Sequence, residues 1–191
     1  MFKQKMYKAG ASVFITLACC INFSYVSADS TKAKFSDNVD ENGNISFPIS
    51  FRSSMVHLGS WFVPDGDASG FHDVYTEKES AEAYRKTGNF PDGATLVKEL
   101  RGAKTADYTT GKGASYSTEN LKQWFVMVKD TNQRFANNPL WGDGWGWALF
   151  KPNDKTKNIA KNYKTDCLGC HVPAKEKDWI YTEAYPSLKS E

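Results

Sequence analysis

The chain has 191 residues, with 24 Lys and Arg against 22 Asp and Glu, and is rich in aromatic side chains: 12 Phe, 9 Tyr and 6 Trp. So even a charge balance gives no basic footprint for nucleic acid. The aromatic content suits the enclosure of a large flat ligand as well as ordinary core filling.

Lys3, Lys5 and Lys8 precede the apolar run "AGASVFITLACCINF", and "YVSADS" follows with the small residues Val26 and Ala28. This order predicts a signal peptide over residues 1–28, cleaved after Ala28, and hence export to the periplasm. The run is short for a membrane span. A retained anchor and a lipid anchor at Cys19 or Cys20 are the other readings, although "TLACC" is a poor lipid-attachment site. Residues 29–191 would then form the working protein: 163 residues, one domain, 21 basic against 22 acidic groups. Cys167 and Cys170 would be its only cysteines, too few for a framework of disulfides.

Residues 29–44 are polar and read as loop. "VHLGSWFV" and "FHDVYT" read as strands, separated by the turn signal Pro64-Asp65-Gly66. "TEKESAEAYRKTG" is the clearest helix, with Thr76 as N-cap, Glu79 three residues on and Gly88 as its stop. "FPDG" is a turn. Three further strands are expected at "ATLVKELRG", "LKQWFVMVKD" and "WGWALFK", and Lys104 is assigned to a solvated loop after the first of them. "DCLGCHVPAKEKDWIY" holds a short helix stopped by Pro173. The expected fold class is α+β and β-rich: a single domain with an antiparallel sheet and a few helices.

In "ATLVKELRG" the period of two places Leu96, Lys98 and Leu100 on one face. A lysine between two leucines either snorkels to water or loses its hydration, so that its pKa falls and its amine becomes nucleophilic.

Cys167-Leu168-Gly169-Cys170-His171 fits C-x-x-C-H, the c-type haem attachment motif. Two thiols on one turn reach the two vinyl groups on one haem edge, and the adjacent imidazole lies beneath the iron as axial ligand. A thioredoxin-like C-x-x-C needs a βαβ unit, which is missing here. A zinc site needs two more ligands, and only His57 and His72 remain. No Met or His follows His171, while Met55 and Met127 lie upstream, Met127 in an apolar strand. The iron is therefore expected to be five-coordinate, with an open face for ligand binding or chemistry rather than simple electron shuttling.

With the motif and strands in place, the chain resembles the cytochrome P-460 family and its relatives the cytochromes c′-β. The stretches that carry the likeness are "MVHLGSWFV", "GFHDVYT", "AYRKTGNFPDGATLVKELR", "WGWALF" and "DCLGCHVPAKEKDWIYTEAYPSLK". The resemblance implies a periplasmic homodimer with one haem c per chain, attached through Cys167 and Cys170, with His171 on the iron. P-460 members bond a lysine nitrogen to the porphyrin, oxidise hydroxylamine and bind nitric oxide; that lysine falls on Lys98. Members of the c′-β branch lack the bond, have an apolar distal pocket and bind nitric oxide. The resemblance also points to His72 as a basic distal residue that would hydrogen-bond a bound ligand; a surface or core-edge histidine is the equal alternative. Phe71, Trp145 and Trp147 are pocket-wall candidates, with plain core packing as the default. It expects a distal carboxylate base shortly before the motif, where this chain offers Asn162, with Asp166 the only acid nearby. Two functions follow: a hydroxylamine-oxidising enzyme that passes electrons to a redox partner such as another cytochrome, or a nitric oxide scavenger or sensor without turnover.

Overall fold

The structure is a computed structural model that describes residues 35–189, together with Met1 and Lys3. The expected signal peptide, apart from Met1 and Lys3, and its cleavage site lie outside the described residues. The chain divides into two units, Met1–Lys32 and Ala33–Glu191, and the fold is that of the second.

Six antiparallel strands form one sheet in the order β1-β2-β3-β4-β6-β5, close to a simple meander. They are β1 Val56–Val63, β2 Gly70–Thr76, β3 Thr95–Tyr108, β4 Gly111–Lys129, β5 Trp141–Gly142 and β6 Trp145–Phe150. The helices are α1 Phe51–Ser54, α2 Lys78–Thr87, α3 Tyr163–Asp166 and α4 Leu168–His171, followed by 3-10 turns at Val172–Lys177, Thr182–Ala184 and Pro186–Leu188. The expected fold class and every expected strand are present.

Both faces of the central strands are covered. Val97, Trp124, Val126, Val128 and Phe150 pack against Phe47 and Phe51 of the N-terminal segment. Leu96, Met127, Trp145 and Trp147 pack against Ala81 of α2 and against Trp179, Ile180 and Leu188 of the C-terminal segment. This explains why residues 95–97 of β3 are all buried although their side chains alternate. Full burial of each large side chain stabilises by roughly 1.5–3 kcal/mol, so the sheet is held as the middle layer. The covering segment on the second face carries the cysteine pair.

Some boundaries differ from expectation. Thr76 does not cap α2; it ends β2, and its hydroxyl donates to Thr95 O at 2.8 Å. Glu77 takes the cap position, and its carboxylate accepts from Ser80 Oγ and from Thr95 N. The sheet has claimed the Thr76 hydroxyl. Gly88 does stop the helix, in the left-handed region at φ 74°. Lys104 is exposed as expected but is strand, not loop. Beyond Arg101, β3 and β4 continue as an exposed two-stranded ribbon, pairing Lys104 with Tyr116 and closing at Tyr108 and Gly111.

Candidate functional site

One face of the sheet gathers the candidate residues through strand register. His72 and Val74 of β2 lie opposite Leu100 and Lys98 of β3. Lys98 and Leu96 lie opposite Phe125 and Met127 of β4, and Met127 lies opposite Trp147 of β6. Trp61 of β1 lies opposite His72.

The C-terminal segment closes over this face. Asn162 starts it by accepting from Lys164 N at 3.0 Å and so capping α3. Cys167 joins α3 to α4, and Cys170 and His171 finish α4. Both cysteines are free thiols, Cys167 half-buried and Cys170 exposed. Together with Lys98, His72 and His171 they line a cavity of ≈ 180 Å³, or ≈ 760 Å³ with its open mouth included. A chamber of ≈ 30 Å³ shares Lys98, Met127 and His171 with it and is walled by Trp61, Ile180 and Tyr185.

His171 is held in one tautomer. Its Nδ1 lies 2.7 Å from Trp179 O. A carbonyl can only accept, so Nδ1 carries the proton and Nε2 keeps its lone pair for a ligand bond. The Trp147 ring stands edge-on to the imidazole at 4.9 Å. Burial pushes the His171 pKa down to about 4, so the ring is neutral at pH 7. Burial also raises the Cys167 thiol to about 11.

Lys98 is the unusual group. Its Nζ meets ring faces rather than oxygens: the Phe125 ring centre is 4.2 Å away and the Trp61 centre 6.0 Å. It forms no ion pair or hydrogen bond among the described residues. Desolvation lowers its pKa from 10.5 to about 8, partly countered by the two motif cysteines. It does not snorkel to a carboxylate at the sheet edge.

His72 is buried and stacks on Trp61 at 5.0 Å. Its Nε2 donates to Ala68 O at 2.7 Å, and its Nδ1 is buried with no hydrogen-bond partner among the described residues. Burial lowers its pKa, which keeps it neutral. Two expected wall residues fall elsewhere. Phe71 points to the other face, against Phe62. Trp145 is fully buried, with its Nε1 donating to Asp178 O at 3.0 Å. Trp147 does line the cavity. Asn162 does not: its side chain is spent on the α3 cap. Asp166 lines the cavity, but its carboxylate accepts from the backbone N–H of Lys161 and Asn162 at 2.7 and 3.1 Å. Those bonds hold its pKa low. Trp61, Phe125 and Tyr181 also line the cavity and were not singled out in the sequence. Alternation combined with the strand register puts Trp61 and Phe125 on the Lys98 face. Nothing local marks Tyr181, whose hydroxyl donates to Cys170 O at 2.6 Å.

A wider cleft of ≈ 580 Å³ lies beside Tyr163, but it holds none of the motif groups. Its Asp130 and Asp143 are already bonded, to Arg134 and to the Tyr163 hydroxyl. Among the described residues, no three His, Cys, Asp or Glu side chains are grouped to hold a bare metal ion.

Residues 48–182 match the cytochrome P460 family. The chain belongs to the cytochrome P460 family. No curated protein matches it. Membership makes this a haem protein of the P460 and c′-β kind. The cavity suits that group: two thiols and a neutral imidazole with a free Nε2 face a space walled by aromatic rings.

Proposed function

We propose that this family member is an exported c-type haem protein that oxidises hydroxylamine at a five-coordinate iron, with Lys98 bonded to the porphyrin ring. Cys167 and Cys170 would form the thioether bonds, and His171 Nε2 would hold the iron. When bound, the haem supplies an open coordination position and accepts the electrons that leave the ligand. The chain's own part is to exclude water, position the imidazole and present an amine. The observation that carries the reading is Lys98: an amine whose pKa desolvation lowers to about 8, with no polar partner among the described residues, in the same cavity as the motif. A neutral amine has the lone pair that bonding to a ring carbon requires. The bond replaces one N–H and one ring C–H, releasing two protons and two electrons to an external two-electron oxidant. Electrons from turnover would pass to a separate redox protein. A periplasmic homodimer is the expected form.

A second reading has its own support. The cavity wall is largely apolar, and the one carboxylate on it among the described residues, Asp166, is tied to backbone N–H groups. Hydroxylamine must lose protons on oxidation and needs a base; nitric oxide has none to lose. A nitric oxide scavenger or sensor therefore fits the same cavity. Steady-state hydroxylamine oxidation with an artificial acceptor separates the two. Turnover that is lost in Lys98→Ala supports the enzyme; no turnover in a protein that carries the ring bond supports the binding role.

A further inference from the structure

Asp178 and Trp179 are consecutive non-glycine residues in the left-handed region, at φ 56° and 67°. L-residues with side chains avoid this conformation, and it persists only where the surroundings impose it. Here it turns the chain sharply after the 3-10 helix Val172–Lys177. The turn aims Trp179 O at His171 Nδ1.

What imposes it comes from the sheet. Lys129, at the end of β4, is buried, and its Nζ grips both carboxylate oxygens of Asp178 at 2.8 and 2.7 Å. Trp145, paired with Lys129 across β4 and β6, donates from Nε1 to Asp178 O at 3.0 Å. The Lys129 amine sits 4.8 Å from the Trp145 ring centre. Side chain and backbone of Asp178 are thus both held by rigid strands. The next carbonyl along is the one that binds the imidazole.

We propose that Lys129, Trp145 and Asp178 form a clamp that holds residues 178–179 in their left-handed turn and so sets the Trp179 O···H–Nδ1 hydrogen bond of His171. None of the three would touch the iron; they are positioning residues. The inference rests on the reading of His171 as the axial ligand. A stronger Nδ1–H bond gives the imidazole more anionic character and raises its basicity toward a metal. That favours the ferric over the ferrous state. Releasing the turn weakens the bond and reverses the preference.

The test uses the haem-loaded protein and the variants Lys129→Met, Asp178→Asn and the double variant Lys129→Met/Asp178→Gly. Resonance Raman of the ferrous protein reads the iron–imidazole stretch, and redox titration reads the potential. Lys129→Met and Asp178→Asn should each lower the stretch and shift the couple toward ferrous by several-fold to tenfold, where tenfold is about 59 mV for one electron. Glycine takes the left-handed turn without strain. The double variant should therefore return both readouts toward wild type although the ion pair is gone. Asp178→Asn keeps the side-chain shape and serves if Lys129→Met does not load haem. Unchanged stretch and potential in Lys129→Met or Asp178→Asn would overturn the clamp. So would failure of the glycine to restore them. His171→Gly is the separate control: if it leaves the iron–imidazole stretch in place, the axial-ligand reading is what fails.

Discussion

The half-buried ammonium of Lys98 lies over the faces of Phe125 and Trp61. Its neighbour Glu99 shows the opposite solution one residue away. Glu99 points to the other face of β3, where Arg52, Arg101 and the Trp124 indole N–H all donate to its carboxylate. Burial pushes the Glu99 carboxyl up, but these three donors outweigh it and leave the pKa below 4.5. The same strand thus carries a charge that is fully paired and one with no ionic partner among the described residues, which is the contrast expected between a structural and a reactive group. Because the folded pKa of Glu99 is depressed, the unfolded chain takes up its proton first as pH falls. The stability it gives is present above pH 4.5 and is lost as pH drops through its folded pKa. Glu99→Gln should cost about 1–3 kcal/mol at pH 7 and flatten the decline in stability on the acid side of pH 4.5. Urea unfolding across pH 3–7 reads both effects. An unchanged acid slope would count against the cluster's role.

At the scale of elements, the short helices α3 and α4 bring the motif to the sheet, and their seat is tight. Tyr163 begins α3, stacks on Trp147 at 6.0 Å and donates its hydroxyl to Asp143 at 3.0 Å. It covers Gly142 of β5 so closely that a Cβ there would come 2.3 Å from the Tyr163 hydroxyl oxygen. The ring is held on both sides and cannot swing away. Gly142→Ala should therefore cost about 1–3 kcal/mol, as overpacking does, and should displace Trp147 against His171. Denaturant midpoints would show the first effect and a shifted haem absorption band the second. Wild-type values for both would mean that α3 adjusts without strain. The two thiols of α4 have their own check. If Cys167 and Cys170 form the thioether bonds, acidified organic solvent should extract haem from Cys167→Ala/Cys170→Ala but leave it on the wild-type chain.

Across the whole molecule, a sheet covered on both faces accounts for what the sequence did and did not reveal. The apolar strands were legible because alternation in "VHLGSWFV" and "ATLVKELRG" is a local signal. The motif was legible because its spacing is chemical. The outer half of β4, with Lys112, Ser115, Ser117 and Asn120, was not, because its strand state comes from pairing with β3 rather than from its own residues. Thr76 was misread because its local signature matches a cap, while its hydroxyl serves a strand 19 residues away. Asn162 was misplaced in the pocket by its nearness to the motif in sequence; its amide caps a helix instead. The turn at Asp178 and Trp179 shows no glycine, so nothing local announces its left-handed backbone. What the sheet does for function is to bring β1, β2, β3, β4 and β6 together behind one cavity, with Lys98 on the central strand. On the proposed function, this lysine bonds to the ring of a covalently held haem. Intact mass and the optical spectrum of the haem-loaded protein, compared with Lys98→Ala, test it most directly. The wild-type mass should lie about two hydrogens below the sum of chain and attached haem, with a displaced spectrum that reverts to that of ordinary haem c in the variant. A wild-type protein with no such mass deficit, and with a haem c spectrum that Lys98→Ala leaves unchanged, would contradict it.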